Sequence, residues 1–250
     1  MMGLTNDIKT GDIVLFTNNT QTGLGLRIFT GSSWSHVGIA IKLVRRRNGK
    51  KLSLNNDGEL YILEIGPHSK KILVKFSKVK HRYNFIAYRP LKDSYRTLEF
   101  GKKVILFVNK YEEMKFTTSF TPYLGVFMGI RLSKGNRKDM FCSEFAHHFY
   151  LNTLNVTSSD IFGIHGPKHP ELTSPNDYDS KKYSDVFLDV SYYIHRNYTT
   201  ITTTILIPIV IALFISLVLW LLLPGNDWKS SYIWSQKYSL YKKYLLNYPN

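Results

Sequence analysis

The chain has 250 residues, and its 44% apolar and 14% aromatic content excludes a disordered regulator as the main reading. Its 33 Lys and Arg against 18 Asp and Glu give a net charge of +15, which favours anionic partners, either nucleic acid or an anionic membrane face. The single cysteine, Cys142, excludes an internal disulfide and a thiolate-only zinc site. It is left as a buried filler, a reactive thiol or an intermolecular link.

In chain order, residues 12–16 (DIVLF) read as a short apolar strand after the turn residues Thr10 and Gly11. A short helix over 22–29 ends at Gly31, with Gly-Ser-Ser as its loop. Residues 36–43 and 60–65 are strand-like and joined by a basic, turn-rich loop containing Asn48-Gly49 and Asp57-Gly58. Two more strands are expected over 72–76 and 84–89. From 97 to 114, Phe100, Val104, Phe107, Tyr111 and Met114 recur at helical spacing. A second, amphipathic helix starts at or near Cys142 and runs CSEFAHHFYLNTL, after which Gly, Pro, Ser and Asp predict loop to about Lys182. Strands grouped first and helices later predict an α+β domain with a mostly antiparallel sheet.

Residues 205–223 (ILIPIVIALFISLVLWLLL) form 19 consecutive positions without charge. At 1.5 Å per residue, about 20 apolar residues cross a hydrocarbon core of about 30 Å. Trp220, Trp228, Tyr232 and Trp234 supply an interfacial belt at one end. The segment is therefore expected to be a membrane-spanning helix rather than a core helix, which rarely lacks charge on every face. The expected organisation is a domain over 1–196, a linker over 197–204, the span over 205–223 and a basic aromatic tail over 224–250. The N-terminus lacks a basic segment followed by an apolar run, which places the domain in the cytosol of a single-pass protein. The charge rule points the other way, because Lys229, Lys237, Lys242 and Lys243 follow the span while Arg196 is the main charge near its start.

Three residues could carry chemistry. A thiol in the first turn of a helix faces the positive end of the helix dipole, and Lys138 adds cationic surroundings; both favour a thiolate. Taken alone, a cysteine at a helix start is more often a small buried hydrophobe. If the two strands form a hairpin centred near residue 50, His36 lies directly opposite Glu64 and on the same face. A carboxylate there fixes the tautomer of the histidine and stabilises its charged form, as a base paired with a thiol requires. An ordinary cross-strand polar pair has the same pattern. Glu144, in the first turn after Cys142, reads as a structural cap.

The strings Gly11-Asp12-Ile13-Val14, Gly31-Ser-Ser-Trp-Ser-His36-Val-Gly-Ile39, Leu63-Glu64 and Phe141-Cys-Ser-Glu-Phe145 together resemble the circularly permuted papain-like hydrolases. That group is related to the NlpC-type peptidases, and the branch most similar is the YiiX-like one with its poxvirus members. The string Ser174-Pro-x-Asp177 resembles the closing loop of that family, so the likeness spans residues 10–180. It implies a permuted papain-like domain in which an antiparallel sheet packs on helices. It also implies Cys142 as nucleophile, His36 as proton carrier and Glu64 as its orienting acid, with no cofactor. Lipid-acting acyltransferases and phospholipases occur in the wider group beside peptidase-like enzymes. An anchored basic domain suits a lipid or lipid-modified substrate, with a peptide or isopeptide bond next. The competing reading is a catalytically inactive, membrane-anchored interaction module on the same fold.

Other clusters carry less. His165 and His169 have a metal-like spacing but lie in a Gly/Pro loop with only Glu171 nearby, so no metal is expected. Neighbouring His147 and His148 point in different directions on their helix. Arg45-Arg46-Arg47 with Lys50-Lys51 reads as a solvated hairpin tip that suits an anionic lipid surface better than nucleic acid, for which no recognition module is present.

Overall fold

The alternation in His36-Val-Gly-Ile-Ala-Ile-Lys-Leu43 decides how the domain is layered. Successive side chains of a strand leave on opposite faces, so Val37, Ile39, Ile41 and Leu43 go one way and His36, Gly38, Ala40 and Lys42 the other. The computed structural model describes residues 6–18, 32–45, 52–66, 71–117 and 139–196, with Gly23, Leu24, Arg27, Val126, Met128 and Ile130. All of them belong to the first of two units that divide between residues 204 and 205.

The described strands and helices are β1 (Ile13–Thr17), β2 (His36–Arg45), β3 (Leu52–Leu54), β4 (Glu59–Leu63), β5 (Leu73–Lys75), α1 (Phe76–Val79), β6 (Phe85–Arg89), α2 (Leu98–Lys110), β7 (Lys115–Phe116), β8 (Asp139–Met140), α3 (Cys142–Leu154), α4 (Ser158–Phe162) and β9 (Tyr192–Arg196). The main sheet is antiparallel in the order β5-β4-β2-β1-β6-β9, with β3 paired to the far half of β2. The protein is thus a mixed α+β domain built on an antiparallel sheet.

Each face of the sheet has its own core. Val37, Ile39, Ile41 and Leu43 pack with Leu15, Phe100, Phe107, Phe145 and Phe149 beneath α2 and α3. On the other face Val14, Phe16, Ala40, Ile62 and Ile86 are covered by Ile8, Phe76 and Val79. Between α2 and α3 the rings of Phe107 and Phe149 meet edge to face, with centroids 5.2 Å apart. Such pairs add about 0.5–1.5 kcal/mol beyond the area they bury.

Helix α2 starts where Thr97 Oγ1 accepts the Phe100 N–H at 3.1 Å. Helix α3 begins at Cys142, as the sequence predicts, but it is not amphipathic. Cys142, Ser143, Glu144, Phe145, Ala146, His147, Phe149, Tyr150 and Thr153 are all buried, because the sheet covers one side and the segment after residue 156 covers another. That segment is more structured than its composition suggests, holding α4 and two 3-10 turns, Pro170–Leu172 and Pro175–Tyr178. It is fastened by Arg89, fully buried on β6. The Arg89 guanidinium donates to the carbonyls of Asp179, Lys182 and Leu188 and to Asp189 Oδ1.

Four described strands fall where the sequence predicted none: β3, inside the expected basic loop, β9, on the edge of the sheet, and the short parallel pair β7 and β8. The helix expected over 22–29 is represented by Gly23, Leu24 and Arg27, which are helical. Arg46, Arg47, Lys50, Lys51, Lys138, the linker over 197–204, the expected span over 205–223 and the tail over 224–250 lie outside the described residues. Among the described residues no helix is long and apolar enough to cross a membrane.

Candidate active site at the end of the sheet

His36 is the first residue of β2, and the loop before it is held by its own serines. Ser32 Oγ accepts the Trp34 N–H at 3.0 Å and donates to the Trp34 carbonyl at 2.7 Å. Ser35 donates its N–H and its hydroxyl to the Phe16 carbonyl, and its Oγ accepts the Asn18 N–H. Trp34 Nε1–H reaches across to Asp179 Oδ2 at 2.8 Å. The Ser32-Ser-Trp-Ser-His36 string is therefore a braced turn that delivers the imidazole in a fixed place.

The predicted opposition of His36 and Glu64 needs one correction. Strands β2 and β4 pair with Ile39 facing Leu63 and Leu43 facing Glu59, two residues away from the expected register. Continued in that register, Gly38 falls opposite Glu64. An even shift keeps side chains on their face, so His36 and Glu64 remain diagonal neighbours, and long side chains bridge that diagonal. His36 Nε2 and Glu64 Oε2 meet at 2.9 Å, both buried. Gly38, opposite Glu64, has no room for a side chain, since a Cβ there would stand 2.5 Å from Ile62 Cγ2 and 3.4 Å from Glu64 Cβ.

Cys142 arrives from the other core, at the start of α3, and meets the imidazole at the end of the sheet. Burial alone pushes the His36 pKa down. Negative charge on Cys142 and a hydrogen bond to it, with the hydrogen bond and charge of Glu64, outweigh burial and raise it to about 10. With Nε2–H donating to Glu64, Nδ1 is the nitrogen left for the sulfur. The structure thus brings Cys142, His36 and Glu64 together from positions 142, 36 and 64, with exposures of 8%, 6% and 1%.

Further groups complete the surroundings, and no spacing in the sequence marked them. The Tyr83 ring stacks on the imidazole, with centroids 5.7 Å apart and planes 5° from parallel, and Phe16 touches both rings. Burial, then the charges of Glu64 and Cys142, hold the Tyr83 phenol well above its ordinary pKa, so it stays protonated. Arg82 Nη1 lies 3.7 Å from the second oxygen, Oε1, of Glu64. Arg82 ends the 3-10 turn Lys80–Arg82 and Tyr83 follows it before β6, and chain order alone does not bring them to residues 36 and 64.

The floor of the site is built from α3 and the loop after it. The Glu144 carboxylate accepts the Phe141 N–H and caps the helix start. Ser143 Oγ donates to the Thr173 carbonyl at 2.6 Å, and Tyr178 OH donates to the Ser143 carbonyl at 3.2 Å. The Ser174-Pro-Asn-Asp177 string closes on itself, with Asp177 Oδ2 accepting the Ser174 N–H and hydroxyl at 2.7 and 2.8 Å. His147 is pinned between Thr173 Oγ1 and Ser158 Oγ. Burial, then the nearby His148 and His169, lower its pKa to about 3, so it is neutral and structural. Among the described residues no three His, Cys, Asp or Glu side chains gather as a metal site, and His165 and His169 find no such company.

No family model matches the sequence, and no curated protein matches it. Among solved structures, the chain is similar to the metalloprotein YiiX from Escherichia coli O157:H7. It is 15% identical, the match covers 76% of this chain and 98% of that one, and the TM-score is 0.47. At that distance the likeness carries no chemistry. The site stands on its own geometry.

Proposed function

We propose that the protein is a thiol hydrolase or acyltransferase that cleaves an amide, ester or thioester bond through Cys142, His36 and Glu64. The supporting observation is the meeting of these three groups from separate parts of the chain, with the thiol at a helix N-terminus and the imidazole held from its far side by a buried carboxylate. A lipid or lipid-modified substrate suits the reading best, because the charge-free run over 205–223 would hold the enzyme at a bilayer as a single-pass protein with its domain in the cytosol.

In this mechanism the Cys142 thiolate attacks the carbonyl carbon, and the electron pair of the C=O bond moves onto oxygen. The N–H of Cys142, pointing out of the first turn of α3, donates to that oxyanion. The intermediate collapses, the bond to the leaving group breaks, and the leaving group takes the proton from His36 Nδ1. Water or another nucleophile then gives its proton to Nδ1, attacks the thioester and releases the thiolate. Glu64 remains ionised throughout and holds the imidazole by Nε2–H.

The test uses the single cysteine, since every label falls on Cys142. Iodoacetamide labelling of the full chain in detergent is recorded against pH for the wild type and for His36→Ala. The expected result is fast labelling at neutral pH that slows at least tenfold in His36→Ala. Slow labelling, unchanged by the substitution, would leave an inactive interaction module.

A further inference from the structure

We propose that the basic segment 78–82 at the rim of this site binds the phosphate of an anionic phospholipid and so selects that substrate class. The proposal rests on the thiol-enzyme reading of the site and names what it acts on. The segment Lys75-Phe-Ser-Lys-Val-Lys-His-Arg82 carries four Lys and Arg and one His with no acid. Its apolar residues, Phe76 and Val79, are sunk into the second core. Lys78, His81 and Arg82 are exposed, and Lys80 is half-buried.

The acids nearby are already engaged. Lys75 takes Glu59 at 2.8 Å, and Glu64 is held by His36. Lys78 and Lys80 have no ion partner within 4 Å among the described residues. Among the described residues the ion-pair contact of Arg82 is the long 3.7 Å approach to Glu64, with 40% of its side chain exposed. The next residue, Tyr83, stacks on His36. The basic segment therefore ends, through Arg82 and Tyr83, at the two partners of Cys142: Arg82 faces Glu64 and Tyr83 stacks on His36. An anion held at Arg82 is drawn to this end of the sheet rather than elsewhere on a chain with a net charge of +15.

Phosphate is the group this arrangement fits. Two lysines supply mobile point charges, and Arg82 supplies a planar fork with donors to spare. A phospholipid joins that phosphate to its acyl esters through a short glycerol, so a headgroup held at the rim keeps its ester carbonyls near it. A zwitterionic headgroup sets its own ammonium against the same cations and gains less.

The experiment is calorimetric titration of the full-length Cys142→Ala chain in non-ionic detergent with dihexanoyl phosphatidic acid, dihexanoyl phosphatidylcholine and inorganic phosphate. Because Cys142→Ala cannot turn over, an inert thiol in the labelling test and a failed headgroup site give separate results. Phosphatidic acid is expected to bind at least tenfold more tightly than phosphatidylcholine or phosphate, and Lys78→Gln/Lys80→Gln to weaken it by about tenfold, the scale set by two exposed ion pairs. Raising the salt concentration is expected to weaken it steadily, which checks the proposal even if the double variant fails to fold. Equal affinity for phosphatidylcholine, or an affinity unmoved by both the double substitution and salt, would overturn it. Inorganic phosphate binding as tightly as phosphatidic acid would overturn the lipid as the source of the phosphate.

Discussion

Glu64 shows how much one buried carboxylate does. It accepts from His36 at 2.9 Å, faces Arg82 through its other oxygen, and contributes with Cys142 to lifting the imidazole pKa to about 10. Glu64→Gln keeps the shape and removes the charge. The titration of His36, followed by proton NMR, is expected to move down from about 10, and Cys142 alkylation at pH 7 to slow by about tenfold. A histidine titration unmoved by the substitution would show that Glu64 does not govern the imidazole. Tyr83 acts through its ring rather than its hydroxyl in the same pocket. Tyr83→Phe should keep the alkylation rate within about twofold, whereas Tyr83→Ala should lower it several-fold by leaving the imidazole free to tilt. Comparable losses in both variants would assign the effect to the phenol.

At the scale of elements, α3 carries Cys142 and is the most buried of the described helices, so its packing and the geometry of the candidate site are coupled. Phe149 lies fully buried against Phe100, Phe107 and Tyr150. Phe149→Ala is expected to cost about 3–5 kcal/mol in urea unfolding, the range for a large aromatic removed from a core. A cost under about 1 kcal/mol would mean that the α2–α3 interface is looser than described. The pairing of β2 with β4 makes a finer demand, because Gly38, between His36 on its own strand and β4 beside it, has no room for a side chain. Gly38→Ala would drive its methyl against Ile62 and the Leu63 carbonyl. It should slow alkylation of Cys142 with far less effect on far-UV circular dichroism.

For the whole molecule, two histidines bound the pH range of stability from opposite sides. His36 is raised from 6.5 to about 10, so its contribution is complete below about pH 6.5 and is lost as pH rises towards 10. His147 is lowered from 6.5 to about 3, because burial excludes its charged form. Its contribution is complete above about pH 6.5 and is lost as pH falls towards 3, where the unfolded chain takes up a proton that the folded chain refuses. Urea midpoints measured from pH 4 to 10 are expected to peak near neutrality. His147→Gln should flatten the acid limb and leave the alkaline limb in place. An acid limb unchanged in that variant would place the acid sensitivity elsewhere, for instance at other buried ionisable groups.

The sequence by itself determined the pieces that local chemistry controls. The alternation of residues 36–43 made a two-faced strand, the spacing of Phe100, Val104 and Phe107 made α2, and α3 begins at Cys142 as its sequence implied. It also singled out Cys142, His36 and Glu64, because the chain has a single thiol and all three residues stood in recognisable strings. Only the tertiary structure decided how they meet. The register of β2 on β4 differs by two residues from a hairpin centred on residue 50, since β3 forms its own pairing on the far half of β2 and moves the turn. Strand β9 and the buried Arg89 that fastens residues 179–189 depend on contacts about 90 to 110 positions apart, which no local pattern encodes. Arg82 and Tyr83 reach the site for the same reason. Their place is set by the sheet order that lays β6 beside β1, and a one-dimensional pattern carries no signal for that order.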